Sequence, residues 1–434
     1  MDDLRVTVED VTPVQKRLNV DIPAERVHKE MDRAFQVVGR QARLPGFRPG
    51  RAPRPVLERM FGEQVRREVF GRLVEESFHE AVERHGLAVV GTPELDAHPP
   101  ATGEALRYSA IVDVRPTIAL QDLAGLEVAR PLVTVTDDDV DRMLGALRES
   151  VAQLRPVEDR AVVEAGDVVT VHLTSRLDGG EPVRREGVLV EAGAGSFPLA
   201  LERQLVGQHR GARLPLRVPY PPDYGNPLLA GKTAEFDAEI ADLRVKEVPP
   251  LDDDFARDHG RCDTLAELRA RVRADLEREA QTGADESVRE AVLEQALARH
   301  TFDVPPSLLE RRTEALIASL DLRLPEGAER EQALADLRQR VHPRAARQVR
   351  GELLLDALAA RDRLEIGDEE VNAAVDAIAA RERQVIEKVR AIYDRPEARA
   401  ALRAKLARDR VLEGLVAAAR VMPAPPDSSV AHEK

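Results

Sequence analysis

The residues best placed to make specific contacts lie between Arg40 and Arg54, in the stretch RQARLPGFRPGRAPR. Five arginines (40, 43, 48, 51 and 54) stand there with no acidic residue. Pro45, Gly46, Pro49, Gly50 and Pro53 interrupt any helix, because proline lacks the amide donor and glycine favours positive φ. The stretch reads as an exposed loop, stiffer than a glycine-serine linker, with Phe47 and Arg48 at its tip. A large apolar ring beside a guanidinium suits docking onto a surface that is partly apolar and partly anionic. Other candidates are thinner. His79-Glu80-Ala81-Val82-Glu83 is half of a zinc-protease motif, but Glu83 occupies the place of the second histidine, so a solvated helix face is the better reading. The single cysteine, Cys262, excludes an internal disulfide framework. Glycine motifs for mononucleotides and dinucleotides are absent, and no metal, nucleotide or other cofactor is expected.

The charge balance limits what the loop can bind. Across 434 residues, 64 Lys and Arg face 78 Asp and Glu, a formal net charge of −14, which disfavours general nucleic-acid binding. From Arg40 to Arg72, nine arginines stand against three glutamates (58, 63 and 68), a small positive patch on an acidic molecule. Such a patch suits a weak, salt-sensitive contact with an RNA-bearing particle. Aromatics are 3% of the chain and tryptophan is missing, so aromatic-lined sites are scarce. The first residues have neither a basic start nor an apolar core, and no run of about 18 apolar residues exists. The expectation is a soluble, cytoplasmic protein with no membrane contact.

The loop needs elements to hold it. Residues 4 to 20 read as two short strands, and Pro23 opens a helix whose apolar stripe is Val27, Met31, Phe35 and Val38. A second helix follows the loop to about His85, striped by Val65, Val69, Leu73, Phe78 and Val82 and closed by Gly86. Leu106, Tyr108, Ala110, Val112 and Val114 alternate with Arg107, Ser109 and Asp113, a strand with one buried face. Residues 1–115 are thus expected to form an α+β domain. Residues 116–160 are a connector containing a helix from Asp137 to Leu154, whose stripe needs a partner from elsewhere. From 161 to 247 the period is two, as in Val169, Val171 and Leu173, with room for one small helix at Leu199–Val206. Beyond Pro249-Pro250 everything to residue 422 is helical, including helices over 369–393 and 396–420. Thr264-x-x-Glu267 and Ser307-x-x-Glu310 read as capping boxes, and 423–434 as a disordered tail.

Gly46-Phe47-Arg48-x-Gly50-x-x-Pro53 resembles the signature by which the trigger factor family, bacterial ribosome-associated chaperones, docks beside the peptide exit tunnel. The match fixes five positions in eight. Members often carry lysine where this chain has Pro49 or Arg51; Arg51 keeps the charge, and Pro49 exchanges a phosphate contact for stiffness. Residues 349–371 resemble the family's helical C-terminal domain, and 161–247 its FKBP-type prolyl isomerase module, with Tyr220-Pro-Pro-Asp-Tyr224-Gly-Asn as the best local match. The resemblance implies a multidomain α+β fold: a ribosome-binding domain, an FKBP-like antiparallel sheet with one short helix, and an all-α chaperone domain with arms. It also implies that Phe47 and Arg48 dock on ribosomal protein and RNA, that Gly46, Gly50 and Pro53 shape the loop, and that an open helical cradle holds nascent or unfolded polypeptides without nucleotide. A homodimer away from the ribosome is left open.

Prolyl isomerisation needs a dry, largely aromatic pocket that binds the twisted imide better than the planar one. Where the resemblance expects aromatic walls, this chain has Leu173, Val183 and Leu201, and only Tyr224 and Phe236 remain, with Phe197 as a substitute. The expectation is a retained fold with weak or lost turnover; slow catalysis by an aliphatic pocket is the alternative. The rival readings are a free-standing prolyl isomerase with helical extensions, a periplasmic chaperone of related layout, and an RNA-binding protein using the arginine loop.

Overall fold

A computed structural model describes residues 4–42, 44, 47, 52–99, 104–177, 182–193, 199–220, 231–320 and 327–424. In chain order the elements are β1 (Arg5–Thr12), β2 (Gln15–Ile22), α1 (Ala24–Gln41), α2 (Arg54–Arg84), β3 (Val89–Ala97), β4 (Leu106–Val114), β5 (Glu127–Arg130), α3 (Asp137–Ser150), β6 (Gln153–Pro156), β7 (Val168–Leu177), β8 (Val183–Glu191) and α4 (Leu199–Leu205). They continue as β9 (Arg213–Pro219), β10 (Thr233–Glu247), α5 (Asp253–Gly260), α6 (Leu265–Ala298), α7 (Pro306–Ala318), α8 (Ala328–Arg361), α9 (Asp368–Arg381), α10 (Ile386–Tyr393), α11 (Pro396–Ala418) and β11 (Arg420–Pro423). Contacts divide the chain into two units, Met1–Val128 with Arg289–Val421 and Ala129–Val288 with Met422–Lys434.

In the first unit an antiparallel sheet of order β1-β2-β4-β3 is covered by α1 and α2. Phe35 on α1 and Val65, Val69 and Leu73 on α2 are buried against Leu18, Val20 and Ile22 of β2 and the even-numbered side chains of β4. The one polar cluster in this core is internally satisfied: Ser77 and Tyr108 share a 2.8 Å hydrogen bond, and both hydroxyls reach the Val74 carbonyl. Burial pushes the Tyr108 phenol up. The strand β3 is not apparent from sequence alternation, since Gly91 and Pro93 break it; it nonetheless pairs with β4 through a register shift between Val90 and Glu94.

Of the C-terminal helices in this unit, α7 meets the sheet at β3 and β4. Asp113 lies on the polar side of β4, yet it is buried, accepting from Gln15 Nε2 at 3.0 Å and from the Ser307 amide at 2.7 Å. Ser307 therefore does not cap α7: Pro306 starts the helix one residue earlier, and the serine hydroxyl donates to the Val90 carbonyl at 3.3 Å. Gly91 is required there, because a Cβ would lie 2.4 Å from Ser307 Oγ and its φ is +74°. Asp356 on α8 accepts from Arg115 and from Arg408 of α11, each at 3.0 Å. Leu354, Leu355 and Leu358 of α8 are core with Ala296, Leu297 and Val411. The helical stretch expected over 369–393 is two helices, broken where Arg383 adopts a positive φ of 52°.

In the second unit β10 is the spine, with β7 along one edge and β9 and then β6 along the other, while β8 extends the sheet beyond β7. The connector helix α3 ends at Ser150 rather than Leu154, because β6 begins at Gln153 to pair with β10. Thr136 caps α3 in a capping box with Asp139, and Val140 and Leu144 find their partners in Phe255 and Ala256 of α5 and Leu268 of α6. At the start of α6, Thr264 Oγ1 accepts from the Glu267 amide at 3.2 Å, but Glu267 returns to the amide of Asp263, one residue before the position a reciprocal box requires.

Candidate functional site

The arginine loop leaves α1 and enters α2 at a close helix crossing. Gly39 faces Leu57 there, and a Cβ on Gly39 would stand 3.1 Å from Leu57 Cδ1. The Ala42 amide closes α1 on the Val38 carbonyl at 2.7 Å. Pro53 is the N-cap of α2, φ −63° and ψ 147°, and its carbonyl accepts from Val56 and Leu57 at 3.0 and 3.2 Å. The Arg54 guanidinium carbon stands over the Phe35 ring, 3.8 Å from its centroid, and the side chain pairs with Asp32 at 3.2 Å and Glu58 at 2.6 Å. This loop arginine is therefore a structural post. Phe47 donates its amide to the Leu44 carbonyl at 3.1 Å, and its ring is 40% exposed and outside the core cluster. Gly46, Arg48, Gly50 and Arg51 lie outside the described residues.

Strand pairing decides what the isomerase sheet presents. Directly opposed residues of antiparallel strands share a face. Leu173 is opposite Ala238, and Ser175 is opposite both Phe236 and Val183, so Leu173, Val183 and Phe236 lie on one face, as the pocket requires. Leu173 is 5% exposed and belongs to the core with Val169, Val171, Leu216 and Ile240, and Phe236 packs against that cluster. Val183 is 54% exposed at the rim and closes no wall. Phe197 and Tyr224 are outside the described residues, as is the side chain of Leu201 in α4. Among the described residues the face is aliphatic around one half-buried ring.

Ion pairs centred on Asp167 and on Lys246 help to hold this module, and neither is evident from spacing. Asp167, 2% exposed, takes Arg160 in a fork of 2.5 and 2.6 Å and accepts from the Glu164 amide at 2.8 Å. The Arg160 guanidinium, aided by the Glu164 amide, holds the Asp167 carboxyl below its ordinary range against the opposing effect of burial. Lys246 on β10 reaches Glu149 at the end of α3, 2.5 Å, and Glu191 at the end of β8, 2.9 Å. Those two carboxylates raise the Lys246 ammonium, so one cation ties the connector helix to the sheet.

The helical domain offers apolar surface unevenly. The α8 stripe from Val349 to Leu358 is core, whereas on the α7 stripe Leu309 and Leu316 are half-buried and Leu320 is exposed. Val385 and Ile392, at α10, are also exposed. His79 rides the outer face of α2 with Nδ1 2.8 Å from the Glu75 carbonyl. No helix among the described residues is long and apolar enough to cross a membrane.

Three family models match the chain: "Bacterial trigger factor protein (TF)" over residues 4–147, "FKBP-type peptidyl-prolyl cis-trans isomerase" over 160–241, and "Bacterial trigger factor protein (TF) C-terminus" over 264–417. The chain is 36% identical over 430 residues to a trigger factor of Anaeromyxobacter sp. (strain Fw109-5), covering 97% of this chain and 100% of the relative. To a trigger factor of Citrifermentans bemidjiense it is 32% identical over 430 residues, covering 97% and 99%. A solved structure from a study of promiscuous substrate recognition by the trigger factor chaperone aligns with a TM-score of 0.46 at 21% identity, covering 95% of this chain and 99% of that one.

Proposed function

The chain belongs to the trigger factor family, chaperones of nascent polypeptides that carry an FKBP-type peptidyl-prolyl cis-trans isomerase domain, and we propose that it works while docked at the ribosomal exit tunnel. Phe47 and Arg48 make the contact, Gly46, Gly50 and Pro53 shape the loop, and Arg51 adds a second charge toward ribosomal RNA. The observation that carries this reading is the exposure of Phe47, an apolar residue left outside the core cluster of its domain. A ring displayed this way is available for burial against a partner surface, where aromatic anchors beside arginine contribute most.

Emerging polypeptide is held by helical walls that mix half-buried leucines with charge, without nucleotide, in the cytoplasm. The working division of the chain is a docking domain at 1–115, a connector at 116–160, the isomerase at 161–247, and the helical holding domain at 248–422. Turnover by the isomerase is weak, since the described part of its face offers Leu173 and other aliphatic side chains around the one half-buried ring of Phe236, with Val183 at the rim. A proline-peptide assay matching an intact FKBP-type enzyme would overturn that last point.

Docking is tested by co-sedimentation with ribosomes over a salt series, using the full chain and the double variant Phe47→Ala, Arg48→Ala. The wild type pellets at low salt and is released as salt rises. The variant stays in the supernatant throughout. Equal pelleting of the two proteins contradicts the assignment.

A further inference from the structure

Among the described residues, the face of the isomerase sheet that carries Leu173 and Phe236 is apolar apart from Ser175 and one charged position. In β8, Val188 is opposite Val171, and a regular ladder would then place Glu186 opposite Leu173. The ladder is not regular. A register shift falls between Val171 and Leu173, Gly187 takes φ +70°, and its amide donates to His172 Nδ1 at 3.1 Å. Bulges of this kind re-aim side chains beside binding sites. Here the bulge puts Arg185, not Glu186, opposite Leu173 and on the pocket face.

Arg185 is also unclaimed. Its neighbour Arg184 pairs with Glu186 at 2.8 Å, and across β9 and β10 Arg213 pairs with Glu239 and Arg217 with Glu235. Arg185 is exposed and makes no ion pair or hydrogen bond among the described residues. Two positions from it along β8 is Val183, and directly across is the buried Leu173. A guanidinium at the edge of an aliphatic patch, with no carboxylate of its own, is a receptor for a ligand carboxylate.

We propose that Arg185 is a specificity residue of the prolyl isomerase site, selecting peptides in which an acidic side chain adjoins the proline. This rests on the reading that Leu173 and Phe236 line that site. Proline seats on the aliphatic patch while the neighbouring Asp or Glu reaches the guanidinium, since adjacent Cα atoms are only about 3.8 Å apart. Because the pair is exposed, it gives a preference rather than an absolute requirement.

The test is the affinity of the full-length chain for three peptides, Ala-Xaa-Pro-Xaa-Ala with Xaa as Glu, Gln or Lys, from chemical-shift titrations that need no turnover. The ratio of Glu-peptide to Lys-peptide affinity falls about fivefold from wild type to Arg185→Gln at low salt, falls further in Arg185→Glu, and changes little at about 1 M salt. The Gln peptide binds all three proteins alike. A ratio unchanged by either substitution overturns the role of Arg185. Phe236→Ala is the control for the site itself: it weakens all three peptides together. If it weakens none, or if no peptide binds the wild type, the site is elsewhere and the proposal fails with it.

Discussion

The N-terminal domain and the isomerase module both build an antiparallel sheet with helical cover, but they place function differently. In the first, Leu18, Phe35, Val69 and Leu73 form the core, and Phe47, the described member of the proposed docking set, stands outside it, in a segment flanked by Gly39, Pro53 and Arg54. In the second, Leu173 and Phe236 belong to the core and to the face proposed to bind proline. A site outside the core is free to change without cost to the fold. A site within it must answer to packing, so a substitution there changes the stability of the sheet and the proposed binding face together.

The comparison can be sharpened by substitutions whose effects differ in size. The largest loss of stability is expected from Arg160→Ala, which strands the buried Asp167 carboxylate and destabilises the isomerase module by about 3–5 kcal/mol. Hydrogen exchange during urea unfolding would show residues 157–247 opening first, with the N-terminal sheet protected as before. Since the Asp167 pKa is lowered, its contribution is fully present above the ordinary aspartate value of about 3.9 and disappears as pH falls through the depressed folded value. Acid should therefore erode this module in the wild type and have less left to remove in the variant.

Next come paired core truncations. Leu73→Ala and Leu173→Ala should each cost about 2–5 kcal/mol. Only the second should also weaken prolyl-peptide binding, whereas Leu73→Ala should dock to ribosomes normally at temperatures where its domain is folded. If both left their ligands unaffected, the two regions would not differ as described. Thr136→Ala removes the α3 cap and should cost about 1 kcal/mol, read as a shift in the urea midpoint of the second unit. The smallest stability change, within about 0.5 kcal/mol, is expected for Phe47→Ala, because its ring is outside the core.

Sequence periodicity reveals the helices and the regular strands because burial on one face leaves a repeat: the stripes of α1 and α2 and the alternation of β4 and β7 are all present in the fold. It misses what irregular backbone supplies. The strand β3 contains Gly91 and Pro93 and pairs through a register shift, so no alternation announces it. Asp113 has the type and parity of a solvated residue, yet the amide of Ser307, distant in sequence, buries it. The motif proposed for docking is legible only as residue types at fixed spacing. The position of Arg185 is not, since a one-residue bulge decides which of two adjacent charged side chains faces the pocket. Nor does spacing disclose the Arg160–Asp167 fork or the two partners of Lys246.

The claim that a loop outside the core tethers this chaperone is tested most directly by ribosome affinity measured across salt for the wild type and the Phe47→Ala, Arg48→Ala variant, alongside their unfolding curves. The account predicts at least a thirtyfold loss of affinity at low salt, about the size of a hot-spot deletion, a shallower salt dependence, and superimposable unfolding. Equal affinities, or a loss of affinity matched by a loss of stability, would contradict it.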